Sequence, residues 1–151
     1  MLIFTLKKEW YEKIRRGEKT VEYREVKPYW TKRLKNEFRD MERWGINFFY
    51  RNKPGDSLRC HSAEHICVLR NGYTQNKMVA KIEMVAVVNG KDTDLAIDAP
   101  VYAIHLADVR EMVLCPHCKG NGAMLGDGLG VMECPWCGCD GEWEAGNEQT
   151  D

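Results

Sequence analysis

The chain has 151 residues, of which 44% are apolar and 30% are charged, and its formal net charge at pH 7 is -1. This composition is that of an ordinary globular protein, and it excludes a mostly disordered or fibrous chain. The length suits one domain with a small appendage. The sequence holds no apolar run of about 18 residues, and MLIFTLKKEW has its charges after a very short apolar segment. We therefore expect neither a membrane span nor a signal peptide.

The first elements alternate between strand and helix. Residues 2–6 predict a short buried strand, and residues 7–17 predict a helix in which apolar residues recur every four positions before Gly17 ends it. Residues 20–26, TVEYREV, are rich in β-branched and aromatic side chains and alternate, which predicts a second strand.

This second strand carries a polar triplet. Alternation places Thr20, Glu22 and Arg24 on one face of it. One interpretation is that Glu22 and Arg24 form a solvated surface bridge worth under about 1 kcal/mol. The other is that the triplet lines a cleft, with Lys19 at the turn into the strand as a phosphate ligand or a base.

A second helix is predicted from Pro28 to Trp44, since proline suits a first helical turn. Its apolar stripe lies opposite a basic stripe. The basic stripe lies in a basic part of the chain, because residues 1–54 hold 15 Lys and Arg against 8 Asp and Glu. Such a stripe is either a solvated face or a surface that binds nucleic acid. The residues of the predicted nucleic-acid surface are Lys32, Lys35, Arg39 and Arg43.

The rest of the main domain reads as short strands. Two early helices followed by strands, without repeated strand-helix units, predict an α+β fold: a compact, mostly antiparallel β-barrel with the helices on one side. The predicted segments are a strand or buried turn at 46–51, a turn into a strand at 53–58, strands at 65–73 and 77–88, a polar excursion at 91–100, and one long or two short strands at 101–114.

Cysteines dominate the end of the chain. Seven cysteines are an odd number, which disfavours a disulfide framework and favours metal-bound thiolates in a reducing cytoplasm. Two C-x-x-C pairs are separated by fifteen residues, and zinc prefers tetrahedral thiolate coordination. Cys139 and His117 are alternative ligands, and a thioredoxin-like redox pair lacks its βαβ setting. The predicted ligands of a structural zinc ion are Cys115, Cys118, Cys134 and Cys137.

The first cysteine knuckle, CPHCKGNG, resembles the C-x-x-C-x-G-x-G unit of the zinc-binding region of DnaJ-type chaperones. The second, CPWCGCDG, has Cys139 where that unit has a glycine. Two such units form one zinc site. We predict a barrel domain at 1–113, a four-cysteine zinc-binding segment at 114–143 and a flexible tail at 144–151.

The stretch RRGEKTVEYR contains the pattern G-x-K-x-x-E-x-R, formed by Gly17, Lys19, Glu22 and Arg24. The pattern resembles the signature of ASCH domains, a family with a PUA-like barrel. The order of elements is similar as well: a first strand, a helix, the strand VEYREV, a second helix containing KPYW, and the later segments LRNGY and VYAIHLADV. The resemblance covers roughly residues 1 to 113.

The resemblance implies a cleft between the barrel and the early helices, in a family associated with RNA or nucleotide ligands. Some members are described as amidohydrolases of acylated nucleosides and others as ribonucleases. The family's lysine corresponds to Lys19, whereas the hydrolases' additional acidic residue lies outside the motif. A second carboxylate or a hydroxyl that faces Lys19 would favour an enzyme, and Glu83 and Thr20 are the candidates. The predicted ligand-binding residues are Lys19, Thr20, Glu22, Arg24, Asn71 and Tyr73.

Aromatic side chains are candidates for stacking a base. Core packing is the favoured interpretation for Trp10 and Trp30, which lie on apolar stripes, and exposure is favoured for Tyr73, which follows the turn signal Asn71-Gly72. Tyr23 is the fourth candidate.

Three functional hypotheses follow. The first is a binding module that holds RNA, a nucleotide or a modified nucleoside, with zinc bracing the surface. The second is a hydrolase of N-acylated nucleosides, or a ribonuclease, that uses Lys19 with Glu22. The third is a protein–protein adaptor whose zinc segment docks a partner. None of the three involves a membrane.

Overall fold

The structure is a computed structural model, and it describes residues 1–42, 48–60, 65–74, 76–114, 123–125, 131–133 and 142–144. None of the helices in these ranges is long and apolar enough to cross a membrane. In chain order the elements are β1 (Leu2–Leu6), α1 (Lys8–Arg15), β2 (Val21–Glu25), α2 (Pro28–Glu37), α3 (Arg39–Glu42), α4 (Phe48–Arg51), β3 (Ser57–Arg59), β4 (Ile66–Asn71), β5 (Lys77–Asn89), a short 3-10 helix (Gly90–Asp92), β6 (Pro100–Leu114), β7 (Ala123–Leu125), β8 (Val131–Glu133) and β9 (Glu142–Glu144).

Seven strands form one curled, mixed sheet, and the fold is α+β. The main path runs β1-β4-β5-β6-β2, with β3 also paired to β5 and β9 to β6. The sheet is mostly antiparallel, as predicted, and among the described strands only β1 and β4 pair in parallel. A parallel pair needs a long crossover, and the chain between β1 and β4 provides one because it contains the helices and β2.

The sheet is a half-barrel whose main path begins with β1 and ends with β2. In β1 burial alternates, so that Leu2, Phe4 and Leu6 are buried while Ile3 and Thr5 face outward. The core they enter is completed by Ile14 of α1 and Leu34 of α2, both of which are almost fully buried. The helices therefore cover the face of the sheet to which β1 contributes.

The second predicted helix is interrupted. α2 ends at Glu37, and Phe38 lies outside helical geometry with φ -99° and ψ 22° before α3 begins. Residues 46–51 were predicted as a strand or a buried turn. The described part of this segment, from Phe48 onward, is a helical turn, α4, in which Phe48 and Phe49 are buried.

Two strand pairings involve the C-terminal part of the chain. β7 and β8 form an antiparallel hairpin, in which Ala123 pairs with Glu133. β9 pairs antiparallel with the end of β6, from Met112 opposite Glu144 to Leu114 opposite Glu142. The main sheet therefore continues past the predicted boundary at residue 113 and includes Glu144, which was predicted to open the tail.

Candidate functional site

A cavity of ≈ 470 Å³ lies among β1, α1, β2, α2 and the loop that follows the 3-10 helix. This volume is within the range of small-molecule sites, roughly 300–1,000 Å³. The residues that line it are Thr5, Leu6, Lys7, Trp10, Lys19, Glu22, Tyr23, Arg24, Glu25, Trp30, Asp94, Leu95 and Ile97. The motif lysine, carboxylate and guanidinium therefore share one concave surface.

Lys19 is positioned by the end of α1. Gly17 adopts a left-handed conformation, φ 78°, that lets the chain reverse, and its N–H donates to Ile14 O at 3.0 Å. The N–H groups of Glu18 and Lys19 both donate to Lys13 O, at 2.9 and 3.2 Å. The turn is therefore anchored to the helix, and it directs the Lys19 side chain, which is only 9% exposed, into the cavity.

Glu22 and Arg24 alternate on β2, where they pair in register with Ile104 and Tyr102 of β6. Arg24 Nη2 lies 3.2 Å from Glu22 Oε1, and it donates to Thr5 O of β1 at 3.1 Å. One guanidinium thus joins the two strands at the ends of the sheet path. The alternative interpretation of a solvated bridge is wrong, because the Glu22 residue is only 6% exposed.

Asp94 is a cavity residue that the sequence did not reveal. It lies on the loop between the 3-10 helix and β6, and its carboxylate contacts Lys19 Nζ closely. Glu22 Oε2 lies 3.8 Å from the same amine. The amine is thus placed between two carboxylates, one from β2 and one from the loop.

The loop holds Asp94 through its own hydrogen bonds. The Thr93 hydroxyl donates to Gly90 O at 2.8 Å, and Ile97 N donates to the same oxygen at 3.2 Å. A Cβ on Gly90 would lie 2.8 Å from Ile97 O, so the backbone packs too closely there for any other residue. These contacts fix the wall that carries Asp94.

Aromatic rings form the apolar part of the cavity. Trp30 stacks on Phe4 with ring centroids 5.3 Å apart, and the Arg24 guanidinium lies 4.9 Å from the Trp30 ring. The Lys19 amine lies 5.2 Å from the Trp10 ring and 4.9 Å from the Tyr23 ring. Each cation is therefore held against an aromatic face as well as a carboxylate, contacts worth about 0.5–2 kcal/mol each.

Burial shifts the pKa values of three cavity residues, Glu22, Tyr23 and Arg24. It raises the pKa of Glu22, a shift that Arg24 and Lys19 oppose and Asp94 reinforces. It lowers the pKa of Arg24, against the attraction of Glu22. The pKa of Tyr23 is raised by burial, by Asp94 and by Glu22. Two buried atoms of the site lack a hydrogen-bond partner among the described residues, Glu22 Oε2 and Arg24 Nε.

Three of the predicted ligand-binding residues do not line the cavity. Thr20 precedes β2, its side chain is exposed, and its carbonyl accepts from Leu106 N at 2.9 Å. Asn71 ends β4 and pairs in register with Leu6, and Tyr73 is fully exposed in the turn that follows, as expected. Glu83, a candidate to face Lys19, lies exposed on β5 and outside the cavity.

The predicted basic stripe divides between two helices. Lys32 and Lys35 lie on α2, and Arg39 begins α3 after the break at Phe38. Arg43 lies outside the described residues, as do the four predicted zinc ligands. Within the residues that the structure does describe, no three His, Cys, Asp or Glu side chains form a group that could hold a metal ion.

No protein-family model matches this chain, and neither the curated proteins nor the solved structures yield a match.

Proposed function

We propose that the cavity binds a nucleobase, either in a free nucleoside or nucleotide or in RNA. The observation that carries this proposal is the buried Glu22 carboxylate, whose Oε2 lacks a hydrogen-bond partner among the described residues, in a cavity lined by two indoles. An unsatisfied buried acceptor costs about 1–3 kcal/mol, more when charged. A ring N–H placed on Glu22 would recover that energy while the ring packs against Trp10 or Trp30.

The charges of the lining favour a heterocycle over a phosphate. Lys7, Lys19 and Arg24 are balanced by Glu22, Glu25 and Asp94. Lys19, which the sequence suggested as a phosphate ligand, and Arg24 already contact carboxylates. A phosphate would have to displace those carboxylates, whereas a neutral base with both donors and acceptors can bind between them.

Membership of the ASCH family, with a PUA-like barrel, is part of this proposal. Two features support it. The motif Gly17, Lys19, Glu22 and Arg24 lies at the end of α1 and on β2, and its three charged side chains line a cavity beside the sheet. The α+β half-barrel with early helices is compatible with such a barrel.

Titration calorimetry with a panel of nucleosides, bases and inorganic phosphate tests the proposal. We expect one nucleoside class to bind and phosphate alone to bind weakly or not at all. The Glu22→Gln variant keeps the shape of the side chain but replaces an acceptor by a donor, so it should lose binding about tenfold or more. The control is Glu83→Gln, an exposed carboxylate of β5. Equal affinities of wild type, Glu22→Gln and Glu83→Gln, or no binding of any nucleoside, would refute the proposal.

A second candidate function is hydrolysis of an N-acylated nucleoside or of RNA. It is favoured by the Lys19 amine, which lies between the Asp94 and Glu22 carboxylates. For an amide, one carboxylate would take a proton from water while the water oxygen bonds to the carbonyl carbon. The carboxyl so formed would then give that proton to the leaving nitrogen as the C–N bond breaks. Mass spectrometry after incubation with N-acylated nucleosides, or gel analysis of RNA, would detect turnover. Lys19→Met should abolish it, and unchanged turnover in Lys19→Met would exclude this role.

We also propose a structural zinc ion held by Cys115, Cys118, Cys134 and Cys137. The hairpin of β7 and β8 supports the proposal because it lies in the sequence between the two C-x-x-C pairs and reverses the chain there. Four thiolates leave no open coordination position, so the metal would stabilise folding instead of taking part in the chemistry.

A further inference from the structure

A surface of cations and aromatic rings extends outward from the cavity along α2. Trp30 lines the cavity and contacts the Arg24 guanidinium, as described above. Trp30 also contacts Tyr29, edge to face with ring centroids 5.1 Å apart, and the Arg33 guanidinium lies 5.9 Å from the Trp30 ring and 5.2 Å from the Tyr29 ring. Cations and aromatic rings therefore alternate from the interior of the cavity to Tyr29, which is 61% exposed.

The same arrangement recurs at α4. The Lys35 amine contacts the Tyr50 hydroxyl and lies 3.6 Å from the centre of the Tyr50 ring, which belongs to a residue that is 69% exposed. Arg33 likewise donates to the Tyr29 hydroxyl, at 2.9 Å. Both exposed tyrosines are thus oriented by a neighbouring cation.

The outer side of α2 carries no acidic residue. At about 100° per residue, Tyr29, Lys32 and Arg33 lie away from the buried Leu34, and the only acidic residue of the helix, Glu37, is at its end. The structure shows ion pairs for Lys27 and Arg51 nearby, whereas the described contacts of Arg33 and Lys35 are to aromatic hydroxyls and rings. Among the described residues no carboxylate pairs with Arg33 or Lys35, so both cations can contact an incoming anion.

We propose that this surface, defined as Tyr29, Lys32, Arg33, Lys35 and Tyr50, binds a single strand of nucleic acid. Phosphates would contact Lys32, Arg33 and Lys35, and two bases would stack on the tyrosines. Alternating cations and exposed aromatic rings suit a chain that alternates phosphates and bases, whereas a double helix keeps its bases inaccessible. Because Trp30 connects the surface to the cavity, a neighbouring nucleotide of the strand enters the cavity. This last step rests on the function proposed above; the surface itself does not.

Fluorescence anisotropy with a labelled single strand of about ten nucleotides tests the inference, with RNA, DNA and duplex RNA as separate arms. We expect the single strand to bind more tightly than the duplex. Tyr29→Ala and Tyr50→Ala should each weaken binding by roughly tenfold, because stacking of one base is lost. Tyr29→Phe and Tyr50→Phe keep the rings and should bind nearly as wild type.

Charge is tested with matched reversals. Lys32→Glu should weaken binding and reduce the slope of log K against log salt by about 0.7 to 1.4, because one or two phosphate contacts are lost. Arg70→Glu changes the net charge equally, but Arg70 is exposed on β4 and should have little effect. If Lys32→Glu and Arg70→Glu weaken binding equally, the attraction is general and the surface is not specific.

The outcomes separate this inference from the proposed function. Both proposals stand if free nucleosides bind the wild type, and if Tyr29→Ala leaves the affinity for nucleosides unchanged while it weakens the binding of single-stranded nucleic acid. If no nucleoside binds but the binding of single-stranded nucleic acid still depends on Tyr29 and Tyr50, the surface proposal stands and the cavity proposal fails. If the alanine variants bind the strand like wild type, or if duplex RNA binds more tightly than the single strand, the surface proposal fails.

Discussion

Replacing Arg24 by methionine tests the contact that joins β1 to β2. Methionine keeps an unbranched stem against Phe4 and Trp30 but removes the guanidinium, which lies 3.2 Å from Glu22 Oε1 and 3.1 Å from Thr5 O. Breaking a buried ion pair by removing one partner costs about 3–5 kcal/mol. The Arg24 side chain is 21% exposed, so we reduce the expected loss of unfolding free energy to about 2–4 kcal/mol.

Chemical denaturation monitored by tryptophan fluorescence measures this loss. The matched control is Arg16→Met, because Arg16 pairs with Glu18 and both of these side chains are at least half exposed. That control should lose less than about 1 kcal/mol. A second variant, Arg24→Met with Glu22→Gln, also removes the Glu22 charge that Arg24→Met leaves without its partner. It should be more stable than Arg24→Met alone. If Arg24→Met loses no more stability than Arg16→Met, the guanidinium does not stabilise the fold in the way described.

The pH dependence of Arg24→Met has a definite sign. Burial raises the pKa of Glu22 in the folded protein above its ordinary value of 4.5. Since the folded state then binds the proton more tightly than the unfolded state, low pH favours folding, and this contribution is lost as the pH rises from about 4.5 through the folded pKa. Arg24 opposes this rise, so the pKa of folded Glu22 should rise further in Arg24→Met. The stability gap between wild type and Arg24→Met should therefore narrow as the pH falls toward 4.5, and a gap that widens would contradict this account.

Three further predictions concern parts of the chain outside that contact. Gly90→Ala should lose about 1–3 kcal/mol in thermal denaturation, because its Cβ would lie 2.8 Å from Ile97 O and Val101 Cγ1; wild-type stability would show that the loop yields easily. Tyr102→Phe should lose about 1–2 kcal/mol, because its buried hydroxyl bonds with Thr31 Oγ1 and Asn52 Oδ1, both at 2.7 Å; exposed Tyr29→Phe is the control. Elemental analysis should find about one zinc per chain, lost in Cys115→Ser with Cys118→Ser and retained in Cys60→Ser; a wild type without zinc would end that proposal.

Strands that form apolar segments of strand length could be predicted from the sequence. β1 was predicted as a short buried strand with the bounds Leu2–Leu6 that the structure shows, because four of its five residues are apolar. β5 was predicted at 77–88 and extends one residue further, to Asn89. In both strands the buried side chains are apolar, so the apolar content of the segment marks the position of the strand.

The break in the second helix could not be predicted in the same way. Leu34 and Phe38 keep the spacing of an apolar stripe, and both are buried. Phe38 nevertheless leaves helical geometry without a glycine or proline to mark the position. An apolar stripe records which side chains are buried, and a break that keeps those side chains in the core leaves the pattern unchanged. The aromatic run at α4 left a strand and a buried turn as alternatives for a related reason, since Phe48 and Phe49 are consecutive and show no period.

Asp94 was missed because nothing local connects it to Lys19, which is 75 residues away in the sequence. A signal was present in the polar excursion of residues 91–100, a loop inserted between the two longest strands, β5 and β6. Loops fixed on a rigid sheet often carry functional side chains. The prediction that Thr20 shares a face with Glu22 and Arg24 extended the alternation too far, because Thr20 precedes the strand, which begins at Val21.

The cavity and the open form of the sheet have a common origin. Among the described strands β1 and β2 lie at opposite ends of the main path, so their outer edges lack the neighbour that a closed barrel would supply. Arg24 provides one connection between them, and the side chains around it leave a space where strand pairing is absent. Within the described part of the chain, the Nε of this guanidinium and one oxygen of its carboxylate partner have no hydrogen-bond partner. A ligand that satisfies these atoms would therefore add contacts across the same gap, and binding would stabilise the fold by linkage.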